Sequence, residues 1–293
     1  MQGKNEPQSL GSQPRPIAVT AHLFHLELWD SIDSRLQNIK QPFDLFVTTT
    51  HEKRELVEQL VLGKYPHVRI LPCENRGRDV GPFLQALDCF DIYRYDTVLK
   101  IHTKRSPHLG QDGGIWFNSL LDRLIGDADT VNWVVGKFRS FREIGMLIHS
   151  DSGCWAHEPG DRNQAWLDKL IRRMRLGNLQ GQKNWVFGAG TMFWFRGAAL
   201  LPIRELGIVP DDFEDELGQL DGTLAHALER AVPLVVQKSG HLVLVANYPH
   251  HITATAIRTE INKFLKQRNK QGGTNKRTAL SPLIKSLTGR VRE

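Results

Sequence analysis

Four short apolar segments, separated by segments with helical periodicity, constrain the fold of this chain more than any other feature. They are rich in strand-forming residues and read IAVTAHLF (17–24), FDLFVTTT (43–50), HVRILPC (67–73) and YDTVLKIH (95–102). Between them, apolar residues recur every three or four positions, as in amphipathic helices. Parallel strands need such crossover helices, which then cover both faces of the sheet. The alternation therefore predicts an α/β fold with a mostly parallel sheet flanked by helices.

The second half of the chain has a less regular pattern, which predicts separate elements rather than a repeat. They are a glycine-rich lid loop (106–114), a helix (115–125), an irregular loop (150–163), a helix ending at Gly177, an aromatic strand (185–196), a helix (221–230) and a strand (233–237). Gly188 and Gly190 lie within the aromatic strand, where glycines indicate a bulge or the close approach of another group. We find no second domain boundary and expect one domain over residues 17–250.

The polar segment 1–16 has no apolar stretch typical of a secretory signal, so we expect a flexible lead. No run of apolar residues approaches the length that a membrane-spanning helix needs. These features favour a cytoplasmic protein.

The formal net charge of +6 is concentrated in the C-terminal tail. Residues 251–293 hold ten Lys or Arg and two Glu, so the tail carries +8 and the rest of the chain −2. Within it, QGGTN (271–275) is typical of a linker, and the apolar residues of 279–291 fall on one helical stripe. A basic amphipathic helix suits the anionic surface of the inner membrane or a partner's groove, and a solvated, disordered tail is the alternative.

Several enzyme classes find no support in the sequence. Cys73, Cys89 and Cys154 are too widely spaced for a metal knuckle and favour free thiols in a reducing compartment. GxSxG, CxxC and HExxH motifs are absent, which leaves hydrolytic and redox chemistry without a recognisable nucleophile or centre.

The loop ENRGRDVGPF (74–83) joins the third predicted strand to a helix. Gly77 permits a tight turn, and Asp79 is well placed to cap the helix that follows. The start of that helix favours an anionic or polar ligand, and Arg76 and Arg78 add positive charge there. Asn75 to Asp79 are therefore candidates for binding a phosphate-containing ligand, with a capped surface turn as the alternative.

A basic segment, KIHTKRS (100–106), closes the fourth predicted strand. In many nucleotide-sugar transferases a pair of aspartates at this place holds a divalent metal on the diphosphate. Here His102, Thr103 and Lys104 occupy it. Cationic side chains can neutralise a leaving diphosphate in place of a metal, so the sequence does not require a metal site. His102 as a ligand of Mg²⁺ or Mn²⁺ stays open.

An acidic segment, FEDELGQLDGTLAHALER (213–230), supplies candidates for a general base. Asp221 is expected at the N-cap of a helix, with Glu216 in the preceding loop. A carboxylate that is partly desolvated and near other carboxylates has the raised pKa that proton abstraction needs. A simple capping role for Asp221 is the alternative.

The segments AVTAHLF, FDLFVTTT, NRGRDVGPFL, YDTVLKIHTKRS, GAGTMFWFR and DGTLAHALER, in this order, resemble the rhamnan synthesis protein F family over residues 15–250. That family is similar to glycosyltransferases of the GT-A type. The resemblance implies transfer of a sugar, rhamnose or another, from a nucleotide-sugar donor to a growing surface polysaccharide or lipopolysaccharide O-chain. The acceptor would be lipid-linked and lie at the cytoplasmic face of the membrane.

By position, the resemblance implies roles for three groups of residues. Thr48, Thr50 and the loop residues Asn75, Gly77, Arg78 and Asp79 would face the nucleoside and diphosphate. His102, Thr103 and Lys104 would occupy the place of the metal motif. Asp221 or Glu216 would be the acceptor base of an inverting enzyme, although retention is also compatible with such folds.

Three other functions remain open on the sequence. A non-catalytic module would bind nucleotide or glycan within an assembly complex. A nucleic-acid binder would exploit the high pI of about 9.3, but the charge lies in the tail, so we expect no nucleic-acid partner. A nucleotidyltransferase would need metal-binding carboxylates after the fourth strand, where none occurs.

Overall fold

Strands and helices alternate through the first hundred residues. The computed structural model describes residues 17–106, 112–156, 162–176, 185–249 and 252–272. Its first elements are β1 (Ile17–His22), α1 (Trp29–Leu36), β2 (Phe43–Thr50), α2 (Arg54–Val61), β3 (Arg69–Cys73), α3 (Val80–Cys89) and β4 (Thr97–His102). All four predicted strands are therefore confirmed.

The second half adds shorter strands and longer helices. They are α4 (Asp112–Ile125), α5 (Ala128–Ser140), β5 (Ile144–His149), β6 (Gly153–Trp155), α6 (Gln164–Arg173), β7 (Val186–Gly188), β8 (Phe193–Phe195), α7 (Leu224–Lys238), β9 (Leu242–Ala246) and α8 (Ala254–Gly272). A 3-10 helix, Gly197–Leu206, follows β8.

Seven strands form one twisted sheet in the order β3-β2-β1-β4-β8-β5-β9. Only β8 runs antiparallel to its neighbours in this sheet, while the pairs among β1 to β4 and between β5 and β9 are parallel. The predicted α/β class, with a mostly parallel sheet flanked by helices, is confirmed. β6 and β7 form a separate two-stranded sheet.

The two faces of the sheet bury different residues of the same strands, as the two-residue period of a strand requires. Ala18, Phe46 and Val98 pack on one face with α3, α6 and α7. Val19 and Leu99 pack on the other with α1, α2, α4 and α5. Lys100 shares the parity of Val98 and so points from β4 toward α3 and α7.

Two strand predictions are wrong. Residues 233–237 belong to α7, and the next strand along the chain, β9, begins only at Leu242. The aromatic segment 185–196 is not one strand, because Gly190 and Thr191 adopt φ values of 80° and 53° and separate β7 from β8. The close approach expected near the glycines occurs at this turn, where a Cβ on Gly190 would lie 2.9 Å from the Leu120 side chain.

The beginning of the basic tail packs on the domain. Ile257 and Ile261 of α8 are buried with the second face of the sheet. α8 extends to Gly272, into the predicted linker. The helix predicted to end at Gly177 is shorter, since α6 ends at Arg173. The amphipathic stripe at 279–291, the 1–16 lead and most of the predicted lid lie outside the described residues. In the described part of the chain, no helix has the length and apolar character needed to cross a membrane.

Candidate active site

A cavity of about 340 Å³ opens at the carboxyl edge of the sheet. It is lined by His22, Phe24, His25, Asn75, Arg78, Asp79, His102, Thr103, Lys104, Arg105 and Glu216. Seven of the predicted site residues are therefore brought together from three distant segments. Thr48, Thr50, Gly77 and Asp221 do not line this cavity.

Strand register places His22, which lines the cavity, next to Thr48, which does not. His22 is opposite Thr48 on β2 and opposite His102 on β4. The Nδ1 atom of His22 lies 3.0 Å from the Thr48 hydroxyl. Burial lowers the pKa of His22 to about 4, so the ring is neutral at physiological pH. Thr48 thus orients a cavity residue instead of facing a ligand.

The loop after β3 is fastened to the acidic loop before α7. Arg76 donates to the Phe213 carbonyl at 2.9 Å and pairs with Asp215 at 2.6 Å. Gly77 has a φ of +72°, and a Cβ there would lie 2.7 Å from the Phe213 ring. Packing of the loop therefore requires a glycine at position 77, and this requirement does not depend on a ligand.

Arg78 and Glu216 join these two loops inside the cavity. The Arg78 backbone N–H donates to Glu216 Oε1 at 2.9 Å, and its guanidinium lies 3.8 Å from Oε2. The guanidinium also donates to the Gln219 carbonyl. Arg78 adopts a left-handed φ of 55°, which is costly for a residue with a side chain. The contacts to Glu216 and Gln219 hold it in this conformation.

Asp79 precedes α3 but does not cap the helix with its side chain. Its Oδ2 instead accepts a hydrogen bond from Lys100 Nζ at 2.5 Å and lies 3.4 Å from His102 Nδ1. Burial acts to raise the pKa of Asp79, but the neighbouring His102 and Lys100 hold it well below its usual range. Because burial also keeps His102 neutral, Lys100 is the cation that stabilises the carboxylate.

A polar chain continues from this pair toward α7. Lys100, whose side chain is 2% exposed, also donates to the Thr191 carbonyl at 2.8 Å. The Thr191 hydroxyl donates to Glu229 at 2.8 Å, and burial raises the pKa of the Glu229 carboxyl. Thr191 itself has a left-handed φ. Its contacts to Lys100 and Glu229 hold the turn between β7 and β8 in this conformation.

The basic segment after β4 contains residues with different tasks. The Thr103 hydroxyl accepts hydrogen bonds from the backbone of Phe24 at 3.0 Å and of His25 at 2.9 Å, which fixes the turn after β1. Arg105 pairs with Glu27 at the rim. Lys104 lies with Nζ 5.1 Å from the centre of the Trp116 ring, and no ion pair to a carboxylate is formed within the described residues. Lys104 is therefore the cation most available to an anionic ligand.

Asp221 differs from its prediction in two respects. Thr223, not Asp221, is the N-cap of α7 and shares a capping box with His226. Burial acts to raise the pKa of Asp221, but a 2.8 Å hydrogen bond from Asn163 and the nearby Arg230 lower it. The predicted cap and the predicted raised pKa are both wrong for this residue.

Comparison with known proteins identifies the family. The family model described as rhamnan synthesis protein F matches residues 3–241. This chain belongs to the rhamnan synthesis protein F family. Proteins named "Uncharacterized protein WxcX" from two Xanthomonas campestris strains, B100 and ATCC 33913, are 33% identical to it over 237 residues. The match covers 81% of this chain and 34% of theirs, so the chain spans about a third of the length of these relatives.

Among solved structures, 4-diphosphocytidyl-2C-methyl-D-erythritol synthase from Anaerococcus prevotii is similar at a TM-score of 0.41 and 10% identity. The match covers 86% of this chain and 99% of that one. Family membership therefore comes from the sequence comparisons.

In this rhamnan synthesis protein F family member, the hydrogen-bonded series from Asp79 to Glu229 includes two residues that the sequence analysis did not identify, Lys100 and Glu229. Lys100 stands in an otherwise apolar strand, and a lysine at an inward position there is a signal that it has a buried partner. Glu229 lies within the recognised DGTLAHALER segment but resembles an ordinary helix-surface residue.

Within the described ranges, no group of three or more His, Cys, Asp or Glu side chains has the arrangement that a metal needs. Near His102 the carboxylate of Asp79 is already engaged by the ammonium of Lys100, which repels a second cation.

Proposed function

We propose that this chain is a glycosyltransferase of surface-polysaccharide synthesis that takes its sugar from a nucleotide-sugar donor. The observation that carries the proposal is the cavity at the carboxyl edge of the parallel strands, whose lining includes the cationic side chains of Lys104 and Arg78. In open α/β sheets this edge is where ligands bind. The rhamnan synthesis protein F family supplies the polysaccharide context.

In this proposal, Lys104 and Arg78 hold the diphosphate. During transfer, the anomeric carbon–oxygen bond breaks and its electron pair remains on the leaving phosphate oxygen. The acceptor hydroxyl forms the new bond to the anomeric carbon and loses its proton to a base. Fixed cations next to the leaving oxygen stabilise the charge that develops there.

Glu216 is the better placed of the two predicted bases, because it lines the cavity and Asp221 does not. An inverting reaction would use Glu216 to accept the proton of the acceptor hydroxyl. The Arg78 guanidinium lies 3.8 Å from Glu216 Oε2, and diphosphate binding would compete for that guanidinium. Asp221 then has a positioning role, because it holds Asn163 and Arg230.

The acceptor is proposed to be a glycan or lipid-linked glycan at the cytoplasmic face of the inner membrane. The basic tail would provide peripheral contact with anionic lipid.

A non-catalytic nucleotide- or glycan-binding module is the second candidate. Both predicted base carboxylates, Glu216 and Asp221, form ion pairs with arginines, which is unusual for a general base ready to act. Such a module would bind a nucleoside diphosphate without ever consuming a nucleotide sugar.

The test is a panel of nucleotide sugars assayed for binding and for slow hydrolysis, with and without EDTA. We expect one donor to bind and to be hydrolysed, and binding to survive EDTA because protein cations replace the metal. Binding without turnover, also when glycan acceptors are added, would favour the non-catalytic module. Loss of binding in EDTA would show that donor binding needs a divalent metal.

A further inference from the structure

The floor of the cavity carries a carboxylate that no phosphate should approach. Asp79 is held ionised by Lys100, and a fixed negative charge repels a diphosphate at contact distance. An ionised carboxylate accepts hydrogen bonds only, so its natural ligand partner is a donor such as a hydroxyl group.

The hydrogen bonds of Asp79 leave room for such a partner. Both Lys100 and His102 approach the same oxygen, Oδ2. In the part of the chain that the structure describes, no hydrogen bond reaches Oδ1, and the start of α3 does not use the side chain as a cap. Asp79 lines the cavity, and its side chain is 13% exposed.

His102 provides a second, independent indication of a ligand. Its side chain is 5% exposed, it lines the cavity, and its Nδ1 atom has no hydrogen-bond partner among the described residues. The 3.4 Å approach to Asp79 does not have hydrogen-bond geometry. An orphaned buried nitrogen costs stability, and such atoms in native proteins are satisfied by a ligand or water.

We propose that Asp79 and His102 form a hydroxyl-binding subsite for the donor, in which a sugar or ribose hydroxyl bridges the carboxylate and the imidazole. The hydroxyl donates to Asp79 and accepts from His102, while Lys104 and Arg78 take the diphosphate. Lys100 is the positioning residue that fixes the carboxylate. This inference rests on the proposed function. It assigns the hydroxyl group and the diphosphate of the donor to two different parts of one cavity.

The test is titration calorimetry with inorganic pyrophosphate, UDP, GDP, dTDP and the nucleotide sugars UDP-glucose, GDP-mannose and dTDP-rhamnose. His102→Phe keeps the ring and removes the nitrogens, and Asp79→Asn removes the charge. His102→Phe should fold, because it removes a buried nitrogen that has no hydrogen-bond partner. This variant alone can test the subsite if Asp79→Asn does not fold. His67→Ala, exposed at the opposite edge of the sheet, is the control.

We expect His102→Phe to weaken the best nucleotide sugar at least tenfold, and pyrophosphate less than twofold. A loss shared by the free nucleoside diphosphate identifies a ribose hydroxyl, whereas a loss confined to the nucleotide sugar identifies a sugar hydroxyl. Equal losses for pyrophosphate, or no loss at all, would overturn the subsite while leaving the proposed function intact. If the wild type binds none of the phosphate probes, both the subsite and the proposed function are overturned.

Discussion

The ammonium of Lys100 donates a 2.5 Å hydrogen bond to the carboxylate of Asp79 beneath the carboxyl edge of the sheet. One residue comes from the middle of β4 and the other from the residue before α3. The pair therefore ties the strand to the loop that carries Asn75 and Arg78. It also fixes the charge of the cavity floor before any ligand arrives.

Lys100→Met should destabilise the fold by about 3–5 kcal/mol, because it leaves a buried carboxylate without its cation. Replacing both partners, as in Lys100→Met with Asp79→Leu, should recover much of this loss. Urea unfolding measures the free energies. Lys64→Met is the matched control, because Lys64 pairs with Asp33 at 2.6 Å but is 47% exposed, and it should cost about 1 kcal/mol or less. Equal costs for the two single variants would contradict the buried pair.

Lys104→Ala should weaken the binding of pyrophosphate or a nucleoside diphosphate about tenfold, because a charge-assisted hydrogen bond contributes about 1.5–3 kcal/mol. Lys137→Ala is the control, since Lys137 lies 5.1 Å from the Trp133 ring just as Lys104 lies 5.1 Å from Trp116, but on α5. Calorimetry at two salt concentrations measures both. An unchanged affinity in Lys104→Ala would remove this residue from the diphosphate site.

Glu216→Gln should reduce sugar transfer at least a hundredfold and leave donor affinity within a few-fold, because it removes the proposed base but preserves the shape of the side chain. Asp221→Asn should retain at least a tenth of the turnover, because Asp221 is hydrogen-bonded outside the cavity lining. Turnover and binding are measured on the donor found in the panel. The reverse ranking would make Asp221 the base, as its sequence context first suggested.

Stability should fall as the pH drops from about 6.5 to about 4. Burial lowers the pKa of His22 and of His226 to about 4, from the usual 6.5. In this window the unfolded chain binds more protons than the folded one, so the free energy of unfolding rises with pH. Each histidine contributes up to about 1.4 kcal/mol per pH unit.

Urea unfolding at pH 7.5 and pH 5 measures this dependence, and His22→Gln should reduce it. Asp79 acts at lower pH, because its stabilising charge is lost only below the usual carboxyl range. A free energy of unfolding that does not change between pH 7.5 and pH 5 would show that these rings are not buried as described.

The first half of the fold is predictable from sequence because β1 to β4 are apolar runs bounded by polar loops. The segment 233–237 misleads, since Val235 and Val236 are strand formers although tertiary packing places them in the buried face of α7. Intrinsic preference for strands is weak compared with such packing. The antiparallel insertion of β8 depends on a turn whose strained residue, Thr191, gives no sequence signal.

The position of the cavity is also predictable, because carboxyl ends of parallel strands meet at one edge. The roles of individual residues are less so. Asp79 has the sequence of a helix cap, but its side chain turns to Lys100, 21 positions later in the chain. Asp221 likewise resembles a cap, and Thr223 takes that place. Local sequence patterns show which residues can cap a helix, whereas contacts with residues distant in the chain determine which residue does so.

Amide hydrogen exchange with and without the donor found in the panel tests the location of the site most directly. We predict protection of segments 74–82 and 102–106, which border the cavity of about 340 Å³. A second cavity, of about 400 Å³, lies at the opposite edge and is lined by residues 40–45 and 64–68. Protection there, with no change in 74–82 and 102–106, would contradict a donor site at the carboxyl edge.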